Sequence, residues 1–137
     1  MKIIDSLNII DSRAAVSVLD QVAENKRHYV YLEENEFCRN FDSRTKEPSC
    51  IVGHVLAKLG LTPEQCGQST VVSTLSELEA KSDTRFTVAA AAALAAAQGV
   101  QDTGGTWGEA VNAAHRVVQT LRYFDPTIDA RIASTDN

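Results

Sequence analysis

A run of alanine constrains the fold of this chain more than any other part of its sequence. Residues 89–97 are AAAAALAAA in a chain of 137 residues. The segment carries only Val88 and Leu94 as large apolar side chains and is apolar nearly all round, which is typical of a buried helix. Small side chains also let helix axes approach closely, toward the short end of the usual range of about 8–10 Å. We therefore predict a central helix that ends near Gly99 and has close neighbours on at least two sides.

Two further segments are predicted to pack against the alanine helix. Residues 50–59 combine a bulky apolar face with an opposite face of small residues. The bulky face consists of Val52, Val55, Leu56 and Leu59, and the small face of Cys50, Gly53, His54 and Ala57. The segment from Trp107 to about Phe124 repeats apolar residues at helical spacing. In this arrangement a leucine at Ala91 or Ala95 is expected to overpack the core and destabilise the protein by about 1–3 kcal/mol.

The first forty residues predict one more helix and a small hairpin. Residues 12–24 carry apolar side chains at helical spacing after Asp11 or Ser12, either of which suits a helix cap. Residues 28–32 and 37–41 alternate along the chain on either side of a polar turn, which indicates two short strands. Because two strands alone are marginally stable, we expect the hairpin to lie against the helices.

Three Ser/Thr-x-x-Glu/Gln sequences mark further predicted helix starts. They begin at Thr62, Thr74 and Thr106. The second predicts a helix over residues 75–80. The predicted fold class is therefore mainly α with one small β-hairpin (α+β), a compact helical domain around the central Ala-rich helix. Residues 1–125 are expected to form a single globular domain, and residues 126–137 a partly disordered C-terminal tail.

Charge and cysteine usage favour a cytoplasmic protein. The 13 basic and 18 acidic residues give a net charge of -5, which argues against binding to nucleic acid or an anionic membrane. Because Lys2 places a charge before any apolar stretch, we expect no signal peptide. The alanine run covers about half of the roughly 20 residues that a membrane helix needs. Three widely spaced cysteines, Cys38, Cys50 and Cys66, are expected to be reduced thiols.

Cys50 and His54 are the strongest candidates for catalytic chemistry. At a spacing of four residues they share a helix face, and Cys50 lies where the helix dipole and free amides lower a thiol pKa. A cysteine-dependent hydrolase or transferase would also need a group that orients the base. Asp42, Glu47 and Asp102 are available for that role. The alternative is a small buried cysteine beside a histidine that bonds to a carbonyl oxygen.

A zinc site is a further alternative for the same residues. Cys38, Cys50, His54 and Cys66 have the right ligand types, and two ligands four residues apart on a helix suit zinc. No CxxC sequence is present, however, and the gaps between the ligands are long. We therefore predict neither a metal ion nor another cofactor.

The candidate binding residues lie in two other regions. They are Tyr29, Tyr31, Gln101, Asp102 and Trp107. The two tyrosines would lie on one face of the first strand, where an exposed aromatic pair suits a protein interface. The turn before Trp107 offers free amides that could cradle an anion. The alternative is a helix–loop–helix connection in which the polar side chains cap open backbone groups.

Two short motifs carry a resemblance to a known group. They are Cys50-Ile51-Val52-Gly53 at a helix start and Gln101-Asp102 followed by Trp107-Gly108-Glu109-Ala110-Val111. This order resembles that of small uncharacterised proteins of actinobacteria and their phages. The resemblance implies a compact α-rich fold and does not indicate an activity. It marks Cys50, Gly53, Gln101, Asp102 and Trp107 as packing or site residues.

The sequence as a whole favours binding over catalysis. We expect a small cytoplasmic binding or interaction protein, and a phage-encoded protein that acts on a host protein is one form of this hypothesis; a phage or a bacterial source stays open. Its partner is expected to be a protein, with no nucleic acid or membrane involved. The oligomeric state stays open and includes a homo-oligomer. The alternative is a cysteine-dependent hydrolase or transferase that uses Cys50 and His54.

Overall fold

The structure is a computed structural model, and it describes residues 7–31, 39–67 and 70–133. Helices make up most of this part of the chain, and a small sheet joins them. In chain order the elements are β1 (Asn8–Ile10), α1 (Ser12–Ala23), α2 (Ile51–Lys58), α3 (Pro63–Cys66), α4 (Val71–Lys81), β2 (Thr84–Phe86), α5 (Val88–Asp102), α6 (Trp107–Phe124) and a 3-10 helix (Ile128–Ala130). The prediction of a mainly α fold in the α+β class is confirmed.

Helix α5 is the central element, as the alanine run predicts. It packs against α1, α2, α4 and α6. Its buried alanines are Ala89, Ala90, Ala93 and Ala97. The helix continues past the predicted end near Gly99 to Asp102. Ala91 is half-buried, but Ala95 is exposed, so the expectation that Ala95 belongs to the packed face is wrong.

The helix starts follow the capping sequences in two of three cases. The capping boxes predicted at Thr62 and Thr106 are both formed and are confirmed. The box predicted at Thr74 is wrong, because α4 already starts after Thr70, whose hydroxyl caps the helix. Thr74 is instead buried within α4, where its hydroxyl accepts a hydrogen bond from the side-chain amide of Asn40 at 2.9 Å.

The sheet pairs β1 with β2 in parallel and is not the predicted hairpin. Its register is Asn8 with Thr84, Ile9 with Arg85 and Ile10 with Phe86. Residues 32–38, the centre of the predicted hairpin, lie outside the described residues. At its described ends Val30 pairs with Thr106, and Phe41 pairs with Pro48. The backbone groups of these two ends therefore bond to a helix start and to a nearby turn.

The segment before α2 crosses this helix at very short range. The backbone N–H of Ser49 donates to the carbonyl oxygen of Asn40 at 2.9 Å. Gly53 lies in the first turn of α2, and a Cβ added to it would lie 1.7 Å from the same oxygen. Because no side chain fits in that space, the crossing requires glycine at position 53.

Part of the predicted tail is packed against the domain. Residues 126–133 are described, whereas residues 134–137 lie outside the described ranges. The Asp129 carboxylate accepts hydrogen bonds from the backbone N–H of Ser12 at 2.9 Å and from the hydroxyl of Thr87 at 2.8 Å. These bonds attach the C-terminal segment to the starts of both α1 and α5.

Candidate functional site

Trp107, the first residue of α6, is the central side chain of the candidate site. Its ring is buried, and its Nε1–H donates to Oε1 of Gln101 at 3.1 Å. The same oxygen accepts a hydrogen bond from the backbone N–H of Ile51 at 2.7 Å. Cys50, which precedes α2, makes no side-chain cap of its own. Gln101 thereby caps α2 from α5, as in the alternative in which polar side chains satisfy open backbone groups.

Three side chains surround the Trp107 ring on the side nearer to the surface. The Tyr29 ring meets it edge-on with centroids 4.7 Å apart, and the His54 ring does so at 5.4 Å. The ammonium nitrogen of Lys26 lies 5.7 Å from the Trp107 ring centroid. Edge-to-face aromatic pairs and a cation near an aromatic face are both stabilising arrangements. The buried Trp107 ring therefore supports the exposed Tyr29 ring through this edge-on contact.

Residues 24–30, here called the Tyr29 loop, are held by the start of α6. The backbone N–H of Trp107 donates to the carbonyl oxygen of Tyr29 at 2.9 Å. The backbone N–H of Gly108 donates to the carbonyl oxygen of Arg27 at 3.0 Å. Because these amides already have partners, they are not open to cradle an anion, and the arrangement agrees with the alternative of a capped helix–loop–helix connection.

The side chains of the Tyr29 loop face solvent although its backbone is fixed. Tyr29 is 43% exposed and Val30 is 36% exposed. Lys26, Arg27 and His28 are exposed as well. The loop also lines an open depression of 650 Å³. It therefore presents an aromatic, an aliphatic and several basic side chains together, on a protein whose net charge is -5.

The other predicted binding residues have different surroundings. Tyr31 is half-buried, and its hydroxyl forms a hydrogen bond with that of Ser49 at 2.9 Å. Asp102 is exposed and accepts a hydrogen bond from the side-chain amide of Gln101 at 3.2 Å. Gln101 and Trp107 are buried. The structure thus brings Tyr29, Trp107 and Gln101 into one chain of contacts, but only Tyr29 of these three is open to a partner.

Cys50 and His54 do not form an accessible catalytic pair. Cys50 is fully buried, and its thiol donates to the side-chain oxygen of Asn40 at 3.7 Å. The imidazole of His54 packs on Trp107, and burial together with the charges of Lys26 and Lys58 lowers its pKa. A substrate cannot reach the Cys50 sulfur in this conformation, so the catalytic alternative lacks an accessible nucleophile.

The described part of the chain does not assemble the alternative zinc site. Cys38 lies outside the described residues. Cys66 is fully buried, and burial raises the pKa of its thiol to about 12, which opposes formation of the thiolate that binds zinc. Within the described ranges, no three His, Cys, Asp or Glu residues are close enough to hold a metal ion.

The basic residues of the Tyr29 loop were not among the predicted site residues. Lys26 and Arg27 directly precede His28 and Tyr29 in the sequence. A basic run beside an aromatic residue is a signal of an interface, because tyrosine and arginine are both enriched there. In the sequence, however, the run looked like the solvated start of a strand.

The fold and the site define a small, mainly helical domain with an exposed aromatic and basic loop. Comparison with known protein families, with curated proteins and with solved structures finds no match to this chain. Among the helices of the described ranges, none has the length and apolar character needed to cross a lipid bilayer.

Proposed function

We propose that this protein is a small binding protein that contacts a protein partner through the Tyr29 loop. The observation that carries the proposal is the fixed but exposed tyrosine: Tyr29 is 43% exposed while Trp107 holds both its ring and its carbonyl oxygen. Tyrosine is a frequent anchor in protein interfaces. An anchor that is already held in place loses little conformational entropy on binding, which favours affinity.

The charges around Tyr29 favour a partner with an acidic segment. Among the described residues Lys26 has no ion-pair partner, and its ammonium nitrogen lies 5.9 Å from the Tyr29 ring centroid. Arg27 pairs with Asp20 at 3.7 Å, but its side chain remains 48% exposed. Glu24 is the one acidic residue of the loop sequence. A complementary acidic surface would therefore be attracted here rather than to the acidic remainder of the protein.

The finer parts of the function follow from the sequence. The resemblance to proteins of actinobacteria and their phages supports a partner from the host cell, and three widely spaced cysteines, interpreted as reduced thiols, support the cytoplasm as the compartment. Neither depends on the geometry of the Tyr29 loop. The interaction surface can therefore be tested without assuming the source of the protein.

Site-specific photo-crosslinking tests the proposed surface. A benzophenone amino acid is placed at Tyr29, or at Val72 of α4 as a control, since Val72 is also an exposed apolar residue at 67% exposure. Each variant is irradiated in a lysate of the cells that naturally contain the protein. We expect a discrete crosslinked protein from position 29 that position 72 does not give.

Charge reversal at Lys26 then distinguishes a specific interface from non-specific binding. The variant Lys26→Glu should remove the crosslink at position 29, and Tyr29→Ala should weaken binding of the purified partner about tenfold or more. Equal crosslinking at the two positions would contradict the proposal. So would a crosslink at position 29 that is unchanged by Lys26→Glu.

A further inference from the structure

A second surface lies in the groove between α1 and α6. The two helices run antiparallel, because Ser12 at the start of α1 contacts Arg122 near the end of α6, and Asp20 contacts His115, which lies about two turns earlier in α6. Between these two contacts the helices leave an open groove of 320 Å³. This volume lies at the lower end of the range of small-molecule sites.

The middle of the groove combines apolar and uncharged polar groups. Val16 of α1 is half-buried and Val118 of α6 is buried, and both line the groove. Ser17 and Gln119 lie beside them and are exposed. A ligand body in this position would contact two apolar side chains and could hydrogen-bond with a hydroxyl and an amide.

The charges at the two ends of the groove differ. At the Asp20 end, the carboxylate is balanced by Arg27 at 3.7 Å and contacts His115 at 3.1 Å. At the other end, Arg122 is balanced by Asp129 at 3.1 Å.

Arg13 lines the Arg122 end and is the exception to this balance. Within the described ranges its guanidinium has no hydrogen-bond or ion-pair partner, and its side chain is exposed. It lies seven residues before Asp20 on the same helix, which is about 10 Å along the axis. The Arg13 end of the groove therefore offers a cationic side chain that makes no ion pair within the described ranges.

We propose that this groove binds a small organic anion. Its carboxylate or phosphate group meets the guanidinium of Arg13, and its apolar body lies along Val16 and Val118. Arginine suits both anionic groups, because its planar guanidinium can donate two parallel hydrogen bonds to either. A docked helix is disfavoured, because its apolar face would remove water from Arg13, Ser17 and Gln119 without replacing their hydrogen bonds. The Arg13 end of the site, which holds the anionic group, uses no residue of the Tyr29 loop, whereas Asp20 at the other end pairs with Arg27 of that loop.

Three small probes test the site on the intact protein. Benzoate, phenyl phosphate and the neutral benzamide are titrated at millimolar concentrations, and amide chemical shifts of α1 and α6 are followed by NMR. We expect at least one of the anions to shift groove amides and benzamide to bind about tenfold more weakly or not at all. If benzoate binds more tightly than phenyl phosphate, the ligand is a carboxylate, and if phenyl phosphate binds more tightly, it is a phosphate. Equal binding of these two anions, with benzamide weaker, indicates recognition by charge alone.

Two arginine variants provide the matched comparison. Arg13→Gln should weaken binding of the anion about tenfold, because a hydrogen bond to a charged group is lost. Arg116→Gln removes the same charge from an exposed position of α6 that does not line the groove, and it should leave binding unchanged. Ser17→Trp should block the groove sterically while Arg13 is intact. The proposal is overturned by equal effects of the two arginine variants, by binding that survives Ser17→Trp, by equal binding of benzamide, or by no probe shifting groove amides.

Discussion

Asn40 and Gly53 are the residues whose contact sets the path of the chain beside α2. Asn40 is fully buried, so its polar groups need partners within the protein. Its side chain accepts from the thiol of Cys50 at 3.7 Å and donates to the hydroxyl of Thr74 at 2.9 Å. Its carbonyl oxygen occupies the space where a Cβ of residue 53 would be. Cys50 and Gly53, which the Cys-apolar-apolar-Gly motif singles out, therefore act together in packing.

Alanine substitution at two glycines should have opposite effects. Gly53→Ala is expected to destabilise the protein by at least about 3 kcal/mol, because the new Cβ would lie 1.7 Å from a backbone oxygen and force the segment away. Gly99 lies in α5, and a Cβ there meets no other atom within 4 Å. Gly99→Ala should therefore stabilise the protein by about 0.5–1 kcal/mol. Chemical denaturation of both variants checks this, and equal free energies of unfolding would contradict the close approach.

Helix α5 shows why an alanine run can be central without being buried all round. Ala93 lies in the contact with neighbouring helices, and Ala95 faces solvent. The sequence-based expectation of overpacking at Ala95 fails because identical side chains give no signal of which face is covered. The helices that pack against α5 do indicate which of their faces is buried, because they combine large apolar residues with polar ones.

Leucine substitution distinguishes the two faces of α5. Ala93→Leu should lower the free energy of unfolding by about 1–3 kcal/mol, because the larger side chain must displace close-packed neighbours. Ala95→Leu should change it by less than about 0.5 kcal/mol, since surface substitutions away from special features have small effects. Both values come from urea denaturation. If both variants lose stability to the same extent, Ala95 must also be covered by a neighbouring element, which would contradict its exposed position.

The Asp129 carboxylate links distant parts of the whole fold. It accepts hydrogen bonds from Ser12, Thr87 and Arg122, which belong to the starts of α1 and α5 and to the end of α6. Partial burial raises the pKa of this carboxyl, but these donors outweigh burial and lower the pKa from 3.8 to about 2. The C-terminal segment is thereby tied to three helices through one charged group.

Acid should release this link over a defined pH range. A carboxyl whose pKa is lower in the folded state stabilises the fold above its unfolded pKa of 3.8, and the contribution disappears as the pH falls toward about 2. Asp129→Asn should therefore cost about 2 kcal/mol at pH 7. The difference between the two proteins should shrink as the pH falls below 3.8 and be lost below about pH 2. Urea denaturation across this range measures it; a difference that does not vary with pH would show that Asp129 carries no such contribution.

The candidate site could be predicted only in part. Tyr29 and Trp107 stand out by residue type, and Gln101 by its place between two helices. The role of Gln101 is not evident from the sequence, because its side-chain oxygen accepts a hydrogen bond at 2.7 Å from the backbone N–H of Ile51, which lies 50 residues earlier. The groove between α1 and α6 gave no sequence signal, since Arg13 and Arg122 each look like ordinary residues on a polar helix face.

Local signals along the chain were enough to predict several of the helices. Periodicity and capping placed α1 and α6, and the alanine run placed the centre of the fold, because these effects act between residues a few positions apart. Long-range packing determines which backbone groups pair at residues 30 and 41, where Asn40 crosses Gly53, and which side of α5 is covered. It also decided that residues 126–133 dock onto the domain. Each of these depends on contacts between residues far apart in the chain, for which neither propensity nor spacing supplies a partner.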